Sequence, residues 1–124
     1  MRKLDFNKPS VCGIGYIGTE VDPDEYPLIY GRWKAMINMG YNKTYKLYNG
    51  YLVNKEWHCF SIFAIWFIKQ CELLGIDPKV KNYNYVLNCT AGSIRGHEVH
   101  SPANTRLMTK SEQQYATNND VRFI

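Results

Sequence analysis

The chain has 124 residues and a formal net charge of +4. This length suits one domain with a core of its own, and a hydrophobic share of 45% beside 21% charged residues excludes a wholly disordered chain. The basic balance is compatible with an anionic partner such as a nucleic acid, but many solvated surfaces are equally basic. Ten tyrosines, five phenylalanines and three tryptophans supply many flat faces that can pack in a core or stack on a ligand.

Cysteine usage and the N-terminus indicate the compartment. The four cysteines show no C-x-x-C spacing, and the opening M-R-K-L-D-F-N-K-P-S lacks the apolar core of a signal peptide. Free thiols in the cytoplasm are therefore expected. The apolar run from Phe60 to Ile68 is shorter than the roughly 20 residues that cross a bilayer, so no membrane partner is predicted.

The N-terminal part divides into an arm and the start of the domain. Residues 1–10 are basic and polar, which predicts an extended arm, and the domain spans 11–124. The stretch V-C-G-I-G-Y-I-G predicts a short strand or a tight hairpin. It contains the spacing G-x-G-x-x-G, but T-E-V-D-P-D-E-Y-P follows where a dinucleotide-binding loop would need a helix, so that function is excluded.

A first helix is predicted over residues 27–40, after a turn at Asp22–Glu25. Apolar residues recur at helical spacing along one face. The predicted stripe consists of Ile29, Trp33, Met36, Ile37 and Gly40. Arg32, Lys34 and Asn38 lie off this stripe and are expected to face solvent or a partner.

The connector that follows, residues 40–54, is rich in lysine and tyrosine. Asn49-Gly50 predicts a turn, and Tyr51–Val53 a brief strand. No acidic residue occurs between Gly31 and Lys55, whereas tyrosines alternate with lysines. Aromatic rings beside ammonium groups can stack on bases and neutralise phosphates, as in proteins that bind single strands. The alternative is that half of the tyrosines pack against the first helix.

A second helix is predicted from a cap at Asn54 to Leu74, with Gly75 ending it. Its apolar stripe comprises Trp57, Phe60, Phe63, Ala64, Phe67, Cys71 and Leu74. The other side carries Ile62, Ile65 and Trp66, so the helix is apolar nearly all round. Such a helix needs cover from the rest of the chain, from a partner protein or from a second copy.

The C-terminal third predicts a strand ending at Val86-Leu87, a loop, and a short helix starting near Ser101-Pro102. The expected fold class is therefore α+β, with two main helices, short strands or hairpins, and a C-terminal strand-loop-helix element.

The order of these segments resembles the phage-encoded HNH homing-endonuclease-like proteins, including those with AP2-like DNA-binding segments. In that family Y-x-x-W-x-x-M precedes a tyrosine-rich connector, a glycine turn, a strand ending in V-C-x-E-W, and a helix with F-x-x-F. The counterparts here are Tyr30, Trp33, Met36, Tyr48–Gly50, Val53, Glu56, Trp57, Phe60 and Phe63. C-G-I-G-Y-I-G resembles the family's lead-in, so the resemblance covers roughly residues 11–118 and implies a degenerate C-terminal ββα element.

The C-terminal third resembles the nuclease motif itself, approximately L-D-H/R-I-D, a loop, then Y-x-P-x-N-x-R-W-x-T-x-x-E-Q-x-x-N. The chain supplies Leu87, then H-S-P-A-N-T-R-L-M-T-K-S-E-Q over 100–113, then Asn118. The resemblance implies that Asn104 occupies the position of the metal-binding Asn. It also implies that Asn88 replaces the metal-binding Asp and Cys89 replaces the general-base His, so loss of the nuclease activity is expected.

Two alternative interpretations of this region include a metal site. His97 and His100, with Glu98 and Asn104, could form a displaced catalytic site that uses Mg²⁺, and Cys89 with both histidines could bind zinc, although that spacing is a weak signal. The ordinary explanation of these histidines, and of His58, is local hydrogen bonding. Otherwise no cofactor is expected.

Three hypotheses follow, in order of preference. The first is a phage-type protein that binds DNA or RNA on a decayed HNH scaffold in the host cytoplasm. Its expected contacts are Arg32, Lys34, Lys43, Lys46, Lys55, Arg106 and Lys110 to phosphates, and Tyr45, Tyr48 and Tyr51 to bases. The second is an effector that docks on a host protein or ribonucleoprotein through Ile62, Ile65 and Trp66 and the acidic segment 20–25. The third is a metal-dependent endonuclease with His97 or His100 as its base.

Overall fold

A computed structural model describes residues 9–82 and 84–122, so most of the predicted N-terminal arm lies outside the described residues. In the described part, helices and short strands form an α+β fold, as predicted. The elements in chain order are α1 (Pro27–Tyr41), β1 (Leu52–Val53), a 3₁₀ helix (Lys55–His58), α2 (Phe60–Leu74), β2 (Tyr85–Asn88), β3 (Val99–His100), β4 (Arg106–Thr109) and α3 (Lys110–Asn118).

Helix α1 confirms its predicted stripe. All five stripe residues are buried, and the helix begins at Pro27, whose fixed φ suits the first helical position. At the centre, the Trp33 indole Nε1 donates a buried hydrogen bond to the Trp57 carbonyl at 2.8 Å. The Trp33 ring also packs edge-on against Phe60, with centroids 5.7 Å apart, so one side chain joins α1 to both following helices.

The glycine-rich N-terminal stretch forms the predicted tight hairpin, with an antiparallel bridge between Val11 and Gly15. Gly15 lies against Trp33, and a Cβ there would meet the ring at 2.9 Å. The chain then pairs with the start of α2, where the Ser61 hydroxyl donates to the Ile17 carbonyl at 2.8 Å and accepts from the Val21 amide at 3.1 Å. The acidic segment 20–25 is thereby anchored beside the first turn of α2.

The prediction of one helix from Asn54 to Leu74 is wrong at its start. Asn54 caps the 3₁₀ helix, accepting from the Glu56 amide, and Cys59 is extended before α2 begins. The break occurs because the Phe60 amide donates to the Tyr16 carbonyl at 2.8 Å instead of continuing the preceding helix. At the other end Gly75 adopts the left-handed conformation, as the predicted stop requires.

The stripe of α2 is buried except at its last member, Leu74, which is exposed. The chain turns back at Gly75, and the Ile76 amide donates to the Cys71 carbonyl at 3.0 Å. Ile76 then packs against the core near the end of the helix, where the sequence pattern had placed Leu74.

Two small sheets complete the fold. Strand β1 pairs in parallel with β3, and β2 pairs antiparallel with β4, with Asn88 opposite Arg106. Helix α3 packs on β2 and β4. The predicted helix start near Ser101-Pro102 is wrong, because residues 101–104 form a turn that leads into β4. Helix α3 begins at Lys110, where Thr109 and Glu112 form a capping box that supplies the stronger start signal.

Substitution of Gly40 in α1 tests the contact between this helix and β1. A Cβ at Gly40 would overlap the Tyr51 carbonyl oxygen, so Gly40→Ala is expected to lower the free energy of unfolding by about 1–3 kcal/mol. Urea unfolding followed by tryptophan fluorescence measures the change.

Gly31 in the same helix is the matched control. It is exposed, and a Cβ there would meet nothing within 4 Å, so Gly31→Ala should stabilise the protein by about 0.5–1 kcal/mol. Equal effects of the two substitutions would contradict the close approach at Gly40.

Candidate nucleic-acid interface and adjoining cavity

Within the lysine- and tyrosine-rich connector, residues 42–48 fold as a series of turns held at both ends by α1. Asn42 continues from the helix, and its side-chain oxygen accepts from the Thr44 amide and hydroxyl. At the other end, the Asn49 and Gly50 amides both donate to the Met39 carbonyl. The connector is therefore a fixed projection from the C-terminal end of α1.

Three side chains of this connector form what we term the connector surface: Lys43, Lys46 and Tyr48. Both lysines are exposed, and Tyr48 is 40% exposed. Within residues 9–82 and 84–122, neither lysine forms an ion pair or a hydrogen bond, and the same holds for Lys55. Their charges are therefore not neutralised by the described parts of the protein.

The remaining tyrosines of this region are less exposed. The Tyr41 hydroxyl accepts from the Val53 amide at 2.9 Å, which fixes β1 on α1. Tyr45 is half-buried, and Tyr51 is half-buried with its pKa raised, chiefly by burial. That half of the tyrosines pack against the first helix stays a prediction, since Tyr41 is itself the last residue of α1 and both Tyr45 and Tyr51 are half-buried.

Arg32 and Lys34 lie on opposite edges of α1, about 200° apart around the helix axis. The Arg32 guanidinium donates to the carbonyls of Asn82 and Tyr85, both at 3.1 Å, and burial lowers its pKa. Arg32 therefore ties α1 to β2. Lys34 is exposed, with its ammonium 4.9 Å from the centre of the Tyr30 ring.

Arg106 and Lys110 belong to the C-terminal strand-loop-strand-helix unit. Both are exposed, Arg106 in β4 and Lys110 in the first turn of α3. The structure thus brings together only part of the predicted set, in the connector, and distributes the others over α1, the 3₁₀ helix and this unit.

Asn88 and Cys89 lie at the end of β2. The Asn88 side chain accepts from the Ala91 amide at 3.1 Å and from the Thr90 hydroxyl at 3.3 Å, and it donates to Gln113 in α3 at 3.2 Å. All of these bonds shape the loop and hold it on α3. Cys89 is buried, and burial raises the pKa of its thiol to about 12, so it is protonated at neutral pH.

Asn104 closes the loop between β3 and β4. Its amide group donates to the Gly92 carbonyl at 2.7 Å, and its oxygen accepts from the Ser101 hydroxyl at 2.6 Å. His97 is exposed on the loop before β3, and it lines a surface cavity with Gly96 and Glu98 that does not include His100. In the part of the chain that the structure describes, no three His, Cys, Asp or Glu side chains are grouped to hold a metal ion.

Of the two candidate histidines, His97 and His100, His100 is the buried one. It lies in β3 opposite Val53 and is only 6% exposed. Its Nδ1 atom is enclosed without a hydrogen-bond partner among the described residues, and burial lowers the pKa of the imidazole to about 4. His100 is therefore neutral at pH 7.

His100 lines a cavity of about 430 Å³ that adjoins the connector. The cavity lies between α1, the segment Asn49–Tyr51, the end of β2 and α3. Its polar lining consists of Arg32, Asn49, Tyr51, Asn88, Cys89, Thr90, His100, Gln113 and Thr117. Sequence reasoning did not select Gln113 and Thr117, although their i, i+4 spacing places them on one face of α3. No local signal marks Asn49 as a cavity residue.

The residues predicted for partner binding differ in exposure. Ile62 and Ile65 are 41% and 53% exposed on the outer side of α2. Trp66 is half-buried, with its ring centroid 4.8 Å from that of Trp57. Only the two isoleucines therefore offer a free apolar surface.

The buried imidazole of His100 makes stability depend on pH. Its pKa is about 4 in the folded protein and near 6.5 in an unfolded chain, so between these values the unfolded state binds more protons. The resulting destabilisation appears as pH falls from 6.5 towards 4. The free energy of unfolding at pH 5 should be about 2 kcal/mol lower than at pH 7, as measured by urea unfolding.

His97 provides the control for this measurement. His97→Gln should keep the loss of stability between pH 7 and pH 5, whereas His100→Gln should remove most of it. A wild-type stability that is unchanged over this interval would contradict a buried, neutral His100.

Comparison with protein-family models, with curated proteins and with solved structures gave no match. Among the described residues, no helix is both long and apolar enough to cross a membrane.

Proposed function

We propose that this protein binds nucleic acid through the connector surface and does not hydrolyse it. The observation that carries the proposal is the exposure of two lysines, Lys43 and Lys46, which have no partner among the described residues and lie within five residues of the exposed Tyr48. No acidic residue occurs between Gly31 and Lys55 to offset them. Ammonium groups neutralise phosphates, and a tyrosine ring can stack on an unpaired base.

The side chains at the end of β2 support binding without cleavage. A hydrolytic site needs a group that can take a proton from water and an anionic oxygen that can hold a cation near the phosphate. Asn88 is uncharged, and its oxygen accepts two hydrogen bonds from the loop. Cys89 is a buried, protonated thiol, and His97 and His100 face different cavities.

Salt dependence tests this proposal. The double variant Lys43→Ala/Lys46→Ala should weaken binding of a single-stranded oligonucleotide. It should also reduce the slope of log K against log salt concentration by about 1.4, because each phosphate contact contributes about 0.7. Fluorescence anisotropy over a series of salt concentrations gives the slope.

Lys69→Ala/Lys81→Ala is the matched control, since both lysines are exposed and lie outside the connector. This variant should bind like the wild type. Absence of binding at low salt, or an equal effect of the two double variants, would refute the proposed interface. Cleavage of the oligonucleotide with Mg²⁺ or Mn²⁺ would refute the proposal that hydrolysis is absent.

A second candidate function is docking on a host protein or ribonucleoprotein. It is favoured by the exposure of Ile62 and Ile65 next to the acidic segment 20–25, which Ser61 and Val21 hold beside α2. Apolar side chains with an acidic border suit a partner whose apolar site has a basic rim.

Charge substitution on α2 tests this second function. Ile65→Glu should abolish recovery of a single stoichiometric partner from host lysate without loss of stability, because the side chain is exposed. Leu73→Glu, at another exposed position of α2, is the control and should leave recovery unchanged. Recovery that is unaffected by Ile65→Glu would remove this surface as the docking site.

A further inference from the structure

The cavity beside the connector has the size and position of a ligand site. Its volume of about 430 Å³ falls in the range of small-molecule pockets, roughly 300–1,000 Å³. Asn49 and Tyr51, which line it, come one and three residues after Tyr48 of the connector surface. A strand held on the connector lysines would therefore pass next to this cavity.

Several hydrogen-bonding groups at the cavity are not used by the described residues. The Gln113 oxygen accepts from Asn88, but its amide NH₂ has no partner there, and the Thr117 hydroxyl has none either. The His100 Nδ1 atom is also without a partner there, but it has almost no accessible surface and is out of reach of a ligand in the cavity. Gln113 is half-buried and Thr117 is exposed, so their free groups are accessible to a ligand that offers hydrogen-bond donors and acceptors.

The rest of the lining is apolar. Ala35, Met36 and Met39 come from α1, and Val86 and Leu87 come from β2. Methionine thioethers pack well on aromatic rings, and the Tyr51 ring also lines the cavity. A flat ring with an apolar face and a polar edge fits such a mixture better than an aliphatic or a highly charged group.

The charges at the cavity favour an uncharged ligand. Among the described residues no carboxylate lines it, and both Cys89 and His100 are neutral at pH 7. Of the lining residues in the described ranges, Arg32 alone is cationic, and its Nη2 already donates to two backbone carbonyls. Phosphates are therefore better accommodated by the exposed connector lysines than inside the cavity.

We infer that the cavity receives one unpaired nucleobase of the strand that the connector surface binds. The base edge would meet the free groups of Gln113 and Thr117, and its faces would contact the methionines and Tyr51. This inference rests on the proposed function and adds to it a preference for single-stranded or locally unpaired nucleic acid. Extruded bases are bound in other proteins by the same combination of edge hydrogen bonds and apolar faces.

Two synthetic strands of equal length isolate the contribution of the base. One is a deoxyribose-phosphate strand without bases, and the other carries a single adenine at its centre. The single base should raise the affinity of the wild-type protein about tenfold, within the range measured for one stacked base. Fluorescence anisotropy at constant salt concentration gives the ratio of the two affinities.

Two variants act on the cavity in different ways. Ala35→Phe fills it from α1, and Gln113→Leu removes the free amide; each should lower the affinity ratio several-fold, towards what stacking on Tyr48 alone supplies, while the base-free strand still binds. Gln114→Leu is the matched control, because Gln114 is exposed and bonds to Asn118 on the outer side of α3, so its ratio should stay near ten. Thermal unfolding of each variant confirms that it is folded.

The outcomes separate this inference from the proposed function. Equal, salt-dependent binding of both strands by the wild type would overturn the base site and leave nucleic-acid binding intact. A single-base preference that is undiminished in both Ala35→Phe and Gln113→Leu would overturn the cavity as its location. No binding of either strand at low salt would overturn the proposed function and the base site together.

Discussion

The buried hydrogen bond from the Trp33 indole to the Trp57 carbonyl is the contact on which the remaining structure depends. Trp33 also lies under Gly15 of the N-terminal hairpin and against Phe60 at the start of α2. Three segments distant in sequence, the hairpin, α1 and residues 57–60, thus meet at one side chain. This bond supplies the buried Trp33 indole nitrogen with an acceptor, and it fixes the position of the 3₁₀ helix as well as the packing of the rings.

With α1 fixed in this way, one edge of the helix and its C-terminal end take different roles. One edge carries Arg32, Met36 and Met39, which face β2 and the cavity. The C-terminal end of the helix holds the connector, because the Met39 carbonyl accepts from both Asn49 and Gly50. Helix α1 therefore positions the connector and supplies one wall of the cavity, so under the proposed function it would contribute to the spacing between a bound phosphate and an inserted base.

The apolar stripes of both main helices could be predicted because the recurrence of apolar residues about every 3.6 positions is a local property of the sequence. The break at Cys59 could not, since it arises from pairing with Tyr16, which lies far away along the chain. The buried role of Arg32 also escaped prediction, because its carbonyl partners Asn82 and Tyr85 follow two helices later. The cavity is harder still to predict, as its lining converges from α1, residues 49–51, β2, His100 and α3, and only the spacing in α3 is visible locally.

The distribution of the four thiols has a practical consequence. Cys12 is exposed in the N-terminal hairpin, whereas Cys59, Cys71 and Cys89 are buried. The Cys12 sulfur lies 3.2 Å from the Asn38 side chain, on the side of α1 away from Arg32 and the cavity. The native protein thus carries a single addressable attachment point for a spectroscopic probe. A label there would report on the molecule without occupying the connector or the cavity.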